Sequence, residues 1–282
     1  MTAELPITRI SPKNGPAVMR LTQDMGWDHQ RADWETILKV GAVFGHLDAA
    51  GELLSAAAVF PYGRDFAAVG MVMVRPGMQG RGLGQALVEK CLSVLPAPEA
   101  AVGLVSTVEG RRLYEKLGFL PVAEIATWRR RGAPLPVAEE RLPTIRMGAL
   151  AEVLKLDSAA FGAPRFELIK RRLSQADRKA VLEGDNRAVS GFGLRVPRGP
   201  ETAISPVIAP DSAGALRLIR NLAAQEDGML RIDILAGQAD LAGGLAEMGF
   251  VLANSSPLMT LGGKPLTIDS SRYFAVTAQA FL

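Results

Sequence analysis

VMVRPGMQGRGLGQAL, residues 72–87, is where the chain passes from one hydrophobic period to another. Before the change, Phe66 to Val74 is an almost unbroken apolar run, the pattern of a strand covered on both faces. After it, apolar residues fall at 83, 86, 87, 91 and 95, a helical spacing that Pro96 and Pro98 terminate. The switch brackets Gln79-Gly80-Arg81-Gly82-Leu83-Gly84, whose alternate glycines remove side chains where a backbone must approach a ligand closely. The first N–H groups of the helix have no intrahelical partner and lie at the positive end of its dipole, which suits a pyrophosphate. A tight turn made glycine-rich for packing is the other reading. No Gly-Lys-Ser/Thr follows, so a Walker loop is excluded. A dinucleotide fingerprint fits poorly: the third glycine comes one place early, and Ser106 and Thr107 stand where an acidic ribose ligand belongs.

Working outward, Ile7 to Ile10 predicts a short strand, and Asn14 to Met25 and Arg31 to Val40 predict helices. Ala42 to Asp48 and Glu52 to Phe60 read as strands joined through Gly51. Ala101 to Ser106 is a further buried strand, and Glu109 to Leu117 a helix that Gly118 caps before a strand from Phe119. Gly132 to Pro143 holds three prolines and no periodicity, which marks a linker. Beyond it the pattern predicts helices at Leu150–Leu156 and Glu167–Gln175 and strands at Ala188–Val196 and Ala203–Ile208. A helix at Ser212–Ala224, a strand at Met229–Leu235, a helix at Ala239–Met248 and a strand from Phe250 complete it. This order repeats the first half. Pro76 precedes Gly118-Phe119 by 42 positions and Pro206 precedes Gly249-Phe250 by 43, spacings expected of a duplicated domain. The expected architecture is α/β (α+β): two tandem domains, 1–131 and 145–282, joined by a linker at 132–144, each a mixed, mostly antiparallel sheet flanked by helices.

A length of 282 residues leaves room for two cores, and 48% hydrophobic with 22% charged residues excludes a largely disordered chain. The formal charge is +3, with basic residues scattered apart from Arg129, Arg130 and Arg131 and the pair Arg171 and Arg172. That pattern argues against a nucleic-acid partner. MTAELPITRI lacks the form of a leader, and no apolar run approaches the roughly 18 residues of a membrane helix, so a cytoplasmic protein without a membrane partner is expected. The sequence specifies no oligomeric state. The single cysteine, Cys91, falls on the apolar side of its helix with Leu83, Leu87 and Leu95 and reads as packing. Two histidines without clustered carboxylates predict no metal.

V-x-V-x-P followed by Q-G-x-G-x-G resembles the acetyl-CoA signature of the GNAT superfamily of N-acetyltransferases, and R-L-Y-E-K-L-G-F from Arg112 to Phe119 resembles that family's next helix. The resemblance covers the first half. The second half, through AISPVIA and LAEMGF, is similar to the degenerate C-terminal domain of tandem-domain members. It implies acetyl-CoA as co-substrate and direct attack by an amine, on a small molecule or on a protein lysine or N-terminus. Backbone groups of Val72, Met73 and Val74 would polarise the thioester carbonyl. Gln79, Gly80, Arg81, Gly82, Leu83, Gly84 and Gln85 would hold the pyrophosphate. Thr107 stands where the family often has an asparagine against the pantetheine, and Tyr114 where it has the acid that protonates the departing thiolate. A tyrosine merely packed on the sheet is the alternative for Tyr114.

No carboxylate occupies the strand Phe66–Val74, where many members carry a glutamate, so the base is unassigned. Trp27, Asp28, His29 and Asp33 lie in the region that frames the acceptor pocket; caps, surface groups and core packing are their other readings. In the second half, Ala209 to Gly214 has one glycine and places Asp211 where pyrophosphate would sit, and Leu245 matches Tyr114. That half is expected to bind no CoA and to shape the acceptor pocket; Asp157, Phe161 and Arg165 are candidate contributors, with a plain structural role as the favoured reading of all three. A non-catalytic acyl-CoA sensor and a purely architectural unit are the competing functions.

Overall fold

The computed structural model describes residues 5–133, 135–136 and 141–282. Residue 134 and residues 137–140 of the expected linker lie outside the described residues, as do residues 1–4.

The first half runs β1 (Ile7–Ile10), α1 (Gly15–Asp24), α2 (Arg31–Val40), β2 (Ala42–Leu47), β3 (Leu53–Tyr62), β4 (Phe66–Val74), α3 (Leu83–Ser93), β5 (Ala101–Val105), α4 (Arg111–Lys116) and β6 (Phe119–Arg130). The second runs α5 (Leu150–Phe161), α6 (Phe166–Gln175), β7 (Arg178–Glu183), β8 (Val189–Arg198), β9 (Glu201–Ile208), α7 (Ser212–Ala223), β10 (Met229–Leu235), α8 (Ala239–Glu247), β11 (Val251–Leu261) and β12 (Tyr273–Ala275). β7 and β12 are additions to the expected elements. β7 begins Arg178-Lys179 and lies at the sheet edge, where a half-polar strand lacks the apolar run that identifies a buried one.

All the strands belong to one sheet in the order β1-β2-β3-β4-β5-β11-β6-β10-β9-β8-β7, with β12 beside β9. Apart from β1, which has no counterpart, the order is two-fold symmetric about the central β11–β6 pair. The last long strand of each half is exchanged: β6 runs antiparallel to β10, and β11 antiparallel to β5. Parallel pairing between strands is confined to β4–β5 and its counterpart β9–β10.

β4 is covered on both faces, as its apolar run requires. Ala67 and Val69 join α3 residues Leu87, Val88 and Cys91 in one core, while Phe66 and Ala68 join α1, α2 and the second-half helices in another. Strict alternation would send Met71 to the α3 side, yet Met71 and Met73 both lie in the other core. The phase changes at a β-bulge, where Ala58 pairs with Gly70 and Ala56 with Met73, and Met71 takes a φ of 53°. Gly70 has no room for a side chain: a Cβ there would lie 2.6 Å from the carbonyl oxygen of Ala280.

The proline spacing is corrected. Gly118 and Gly249 are equivalent, each at positive φ between a helix and a strand, but Pro76 follows β4 whereas Pro206 lies inside β9. The duplication rests on topology.

Candidate active site

β4 and β5 pair only from Phe66–Ala68 to Ala101–Gly103 and then diverge, so the far end of β4 is unpaired on that side. α3 follows the end of β4 through the loop at 75–82. Its N-cap is Gly82 at φ 81°, preceded by Gly80 at φ 75°, and no side chain caps it, so the amides of its first turn have no side-chain acceptor. Met78, Arg81, Gly82, Leu83 and Gln85 line a cavity of about 1200 Å³ beside this turn.

The equivalent place in the second half is closed twice. α7 begins at Asp211, whose carboxylate accepts the Gly214 N–H at 2.7 Å, putting a fixed negative charge on the first turn. β9 and β10 also diverge, after Glu201–Ala203 and Met229–Arg231, but β12 fills the gap. It pairs with Val207 and Ile208, and the Val276 N–H donates to the Asp233 carbonyl of β10 at 2.9 Å. Tyr273, Phe274 and Ala275 are buried there.

Back in the first half, Tyr114 of α4 is 7% exposed, with its ring edge-on to Phe119. Its hydroxyl has no hydrogen-bond partner among the described residues, and burial pushes its pKa up, so it is protonated at neutral pH. Thr107 Oγ1 accepts the Gly110 N–H at 3.1 Å, which leaves the hydroxyl proton free to be donated.

Thr107 also lines a second cavity, of about 380 Å³, with Gly70, Met71 and Val105. Trp27, Asp28 and His29 supply the wall contributed by the α1–α2 loop. The remainder comes from the sheet beyond the exchange and from the chain's last residues, notably Arg129, Arg198, Glu201, Arg231 and Gln279. The β8–β9 turn leans on the α1–α2 loop so closely that a Cβ on Gly199 would meet Gln30 at 2.6 Å.

Two family models, each described as an acetyltransferase (GNAT) domain, match residues 41–121 and 153–275, one in each half. The chain belongs to the GNAT acetyltransferase family. It is 27% identical over 277 residues to the "Uncharacterized N-acetyltransferase YitH" of Bacillus subtilis (strain 168), covering 97% of both chains. It is 25% identical to the "Holothin acyltransferase" of Pseudoalteromonas sp. (strain SANK 73390) over 231 residues, 79% of this chain and 76% of that one. Among solved structures, a putative acetyltransferase from Pyrococcus horikoshii superposes with a TM-score of 0.81 at 18% identity, covering 100% of this chain and 97% of that one. A tandem GNAT protein from the clavulanic acid biosynthesis pathway gives 0.67 at 13%, covering 93% and 99%. Both likenesses concern the fold, and the second has the same tandem layout. Acyl transfer is the activity class of this GNAT chain.

The residues named from the sequence separate into several groups. The loop from Gln79 to Gln85 and the end of β4 from Val72 to Val74 meet at the mouth of the opening. Some loop side chains are tied locally: Gln79 donates to the Val74 carbonyl at 3.3 Å, Arg81 to that of Gly77 at 3.4 Å, and Gln85 to Glu89 at 2.9 Å. Asp33 does not face the cavity. It is 5% exposed, accepts the Gln30 N–H at 3.0 Å and pairs with Arg198 at 3.1 Å behind the wall.

Asp157, Phe161 and Arg165 are likewise not pocket residues. All three are buried, Arg165 grips Asp157 through two 2.9 Å bonds and lies 3.9 Å from the Phe161 ring centre, and it also donates to the Leu282 carbonyl oxygen. The polar residues that do face the cavity from β6, β8, β9 and β10 were missed. The one sequence signal for them was the Arg129–Arg131 cluster, whose first member reaches the site through the strand exchange. Cys91 is fully buried, and burial pushes its thiol up to about 12, as expected of a packing residue. Among the described residues, no group of three or more His, Cys, Asp or Glu side chains could hold a metal, and no helix is long and apolar enough to cross a membrane.

His29 packs against Trp27 and Trp34, with ring centres 5.6 and 6.5 Å apart. Burial, and then the Arg198 guanidinium, push its pKa down from 6.5 to about 4, against the opposing pull of Asp33. The imidazole is therefore neutral at physiological pH. Because the folded pKa lies below the unfolded one, the unfolded chain binds the extra proton in between. Its contribution to stability is complete above about pH 6.5 and is lost as pH falls toward about 4. Urea midpoints of the wild type should drop across this window, and those of His29→Gln should drop less. Parallel pH profiles would contradict the assignment.

Proposed function

We propose that this chain transfers the acetyl group of acetyl-CoA directly to a primary amine at a single site in a first GNAT unit, residues 1–131. In the same reading, residues 145–282 form a second unit that binds no CoA and completes the acceptor cavity. The observation that carries the proposal is the contrast between the two helix N-termini. α3 presents an uncapped first turn behind Gly80 and Gly82 at the end of a diverging strand, while α7 is capped by Asp211 and its cleft is filled by β12.

When bound, acetyl-CoA supplies a thioester whose carbonyl carbon is open to attack by an amine. The first turn of α3 holds the pyrophosphate, and the backbone of Val72–Val74, unpaired on the β5 side, offers donors to the acetyl oxygen. The bulge at Met71 turns the strand toward the second cavity, where the amine binds. Its nitrogen forms the new C–N bond as the C–S bond breaks, and Tyr114 protonates the departing sulfur. The proton lost by the amine leaves through water in that cavity, because burial and the Arg198 guanidinium hold the His29 imidazole neutral and make it a poor proton acceptor.

Mixing the full chain with acetyl-CoA and a panel of primary amines should release free thiol and acetylated amine in equal amounts. CoA binding with no release across the panel would move the reading to a sensor, which the missing β4 carboxylate also allows.

A further inference from the structure

The sheet under the acceptor cavity carries charge where a packed sheet face carries apolar side chains. Arg129 of β6 stands opposite Arg231 of β10, which is level with Ala203 of β9. Glu201, two residues along the same face, is level with Arg198 of β8. Next to this row Thr127 pairs with Asp233, its hydroxyl 2.6 Å from the carboxylate, and Gln279 donates to Thr127 at 3.0 Å. This polar floor spans four strands.

The ion pairs within it use only part of the donor set. Arg231 is held by Asp233 at 3.0 Å and Glu201 at 3.6 Å. Arg129 binds Glu201 through Nε at 2.6 Å, and Arg198 binds Asp33 through Nε at 3.1 Å. The terminal nitrogens of Arg129 and Arg198 have no partner among the described residues, and both side chains line the cavity. Behind them Arg172, its side chain 1% exposed, leaves Nε and Nη2 unpartnered, with Asp33 3.9 Å from Nη1. Four guanidinium groups thus face three carboxylates, Asp33, Glu201 and Asp233. Asp28, the remaining acid of the cavity, is on the exposed α1–α2 loop. Positive charge in excess of its partners, buried at Arg172 and partly exposed at Arg129, Arg198 and Arg231, is balanced when an anion joins it, and planar guanidinium forks suit oxyanions.

We propose that the acceptor is a small amine that also bears an oxyanion, a carboxylate or a phosphate, held by the terminal nitrogens of Arg129 and Arg198 with the amine directed at the Met71–Thr107 end. A cavity of about 380 Å³ admits a molecule of amino-acid size. This assignment rests on the reading above that the cavity is the acceptor site.

Calorimetry on the full chain saturated with CoA tests it with matched pairs: L-amino acids and β-alanine against their amides, and O-phosphoethanolamine against ethanolamine. The anionic member of at least one pair should bind about tenfold or more tightly than its neutral counterpart, the size of one charge-assisted hydrogen bond. Arg129→Gln and Arg198→Gln should each erase that preference, Arg129→Lys should keep part of it, and CoA affinity should be unchanged in all three, which reports intact folding. Which pair responds separates carboxylate from phosphate. Equal or tighter binding of the neutral member in every pair, no anionic amine binding at all, or full preference in both Gln variants would overturn the proposal. Anionic preference without thiol release would sustain it and refute acetyl transfer; thiol release from neutral amines with no such preference would do the reverse.

Discussion

Replacing Tyr114 by Phe is expected to lower kcat by about 10²- to 10⁴-fold, the range for loss of a positioned general acid. The substitution is clean because the ring does the packing, edge-on to Phe119 and against Gly110, where a Cβ would meet it at 3.0 Å. The hydroxyl bonds no described protein group, so its loss leaves no orphaned partner and the unfolding midpoint should not move. Burial keeps the phenol protonated across the working pH range, the state an acid requires. Steady-state thiol release gives kcat, and calorimetry should give a CoA affinity within about twofold of wild type, since no uniform binding is removed. Unchanged turnover would return Tyr114 to packing alone.

The largest stability effect is expected at the buried Asp157–Arg165 pair, packed against Phe161 and Tyr273. Asp157 is 1% exposed and Arg165 3%, and the guanidinium also holds the Leu282 carbonyl oxygen at 2.9 Å and stacks over Phe161. Asp157→Ala strands that guanidinium in an apolar core and should cost about 3–5 kcal/mol in urea unfolding. Asp157→Leu combined with Arg165→Met should recover much of the loss, because an apolar pair of similar volume replaces the ions without leaving either unpaired. A loss below about 1 kcal/mol for the single variant would show that water or a rearranged partner reaches Arg165.

The first unit was legible because its elements announce themselves locally. β4 is an uninterrupted apolar run, α3 has helical spacing, and Gly82 and Gly118 mark the boundaries where positive φ is needed. The capped N-terminus of α7 was legible in Asp211, whose carboxylate accepts the Gly214 N–H. The bulge was not, because Gly70-Met71-Val72 is apolar in either phase and only the pairing with β3 reveals the extra residue. The exchange of β6 and β11 was equally silent: each strand has the same composition whether it closes its own half or the other. Asp157 and Arg165 kept a pocket reading beside the structural one because sequence spacing cannot distinguish charges facing a cavity from charges facing each other in a core; the buried pair bears out the structural reading. β12 escaped because three residues carry no period, and its strand exists only because the β9–β10 cleft is there to receive it.

The central claim, one working CoA site made by the loop before α3, is tested most directly by calorimetric titration of CoA into the wild type and Gly82→Asp. Asp tolerates the left-handed backbone at this position and places a carboxylate at the N-cap, as Asp211 does in α7. The wild type should bind one CoA per chain, and Gly82→Asp should bind at least about 100-fold more weakly while staying folded, its stability lowered by no more than the roughly 1–2 kcal/mol cost of a left-handed non-glycine residue. Two sites per chain, or undiminished affinity in the folded variant, would contradict the account.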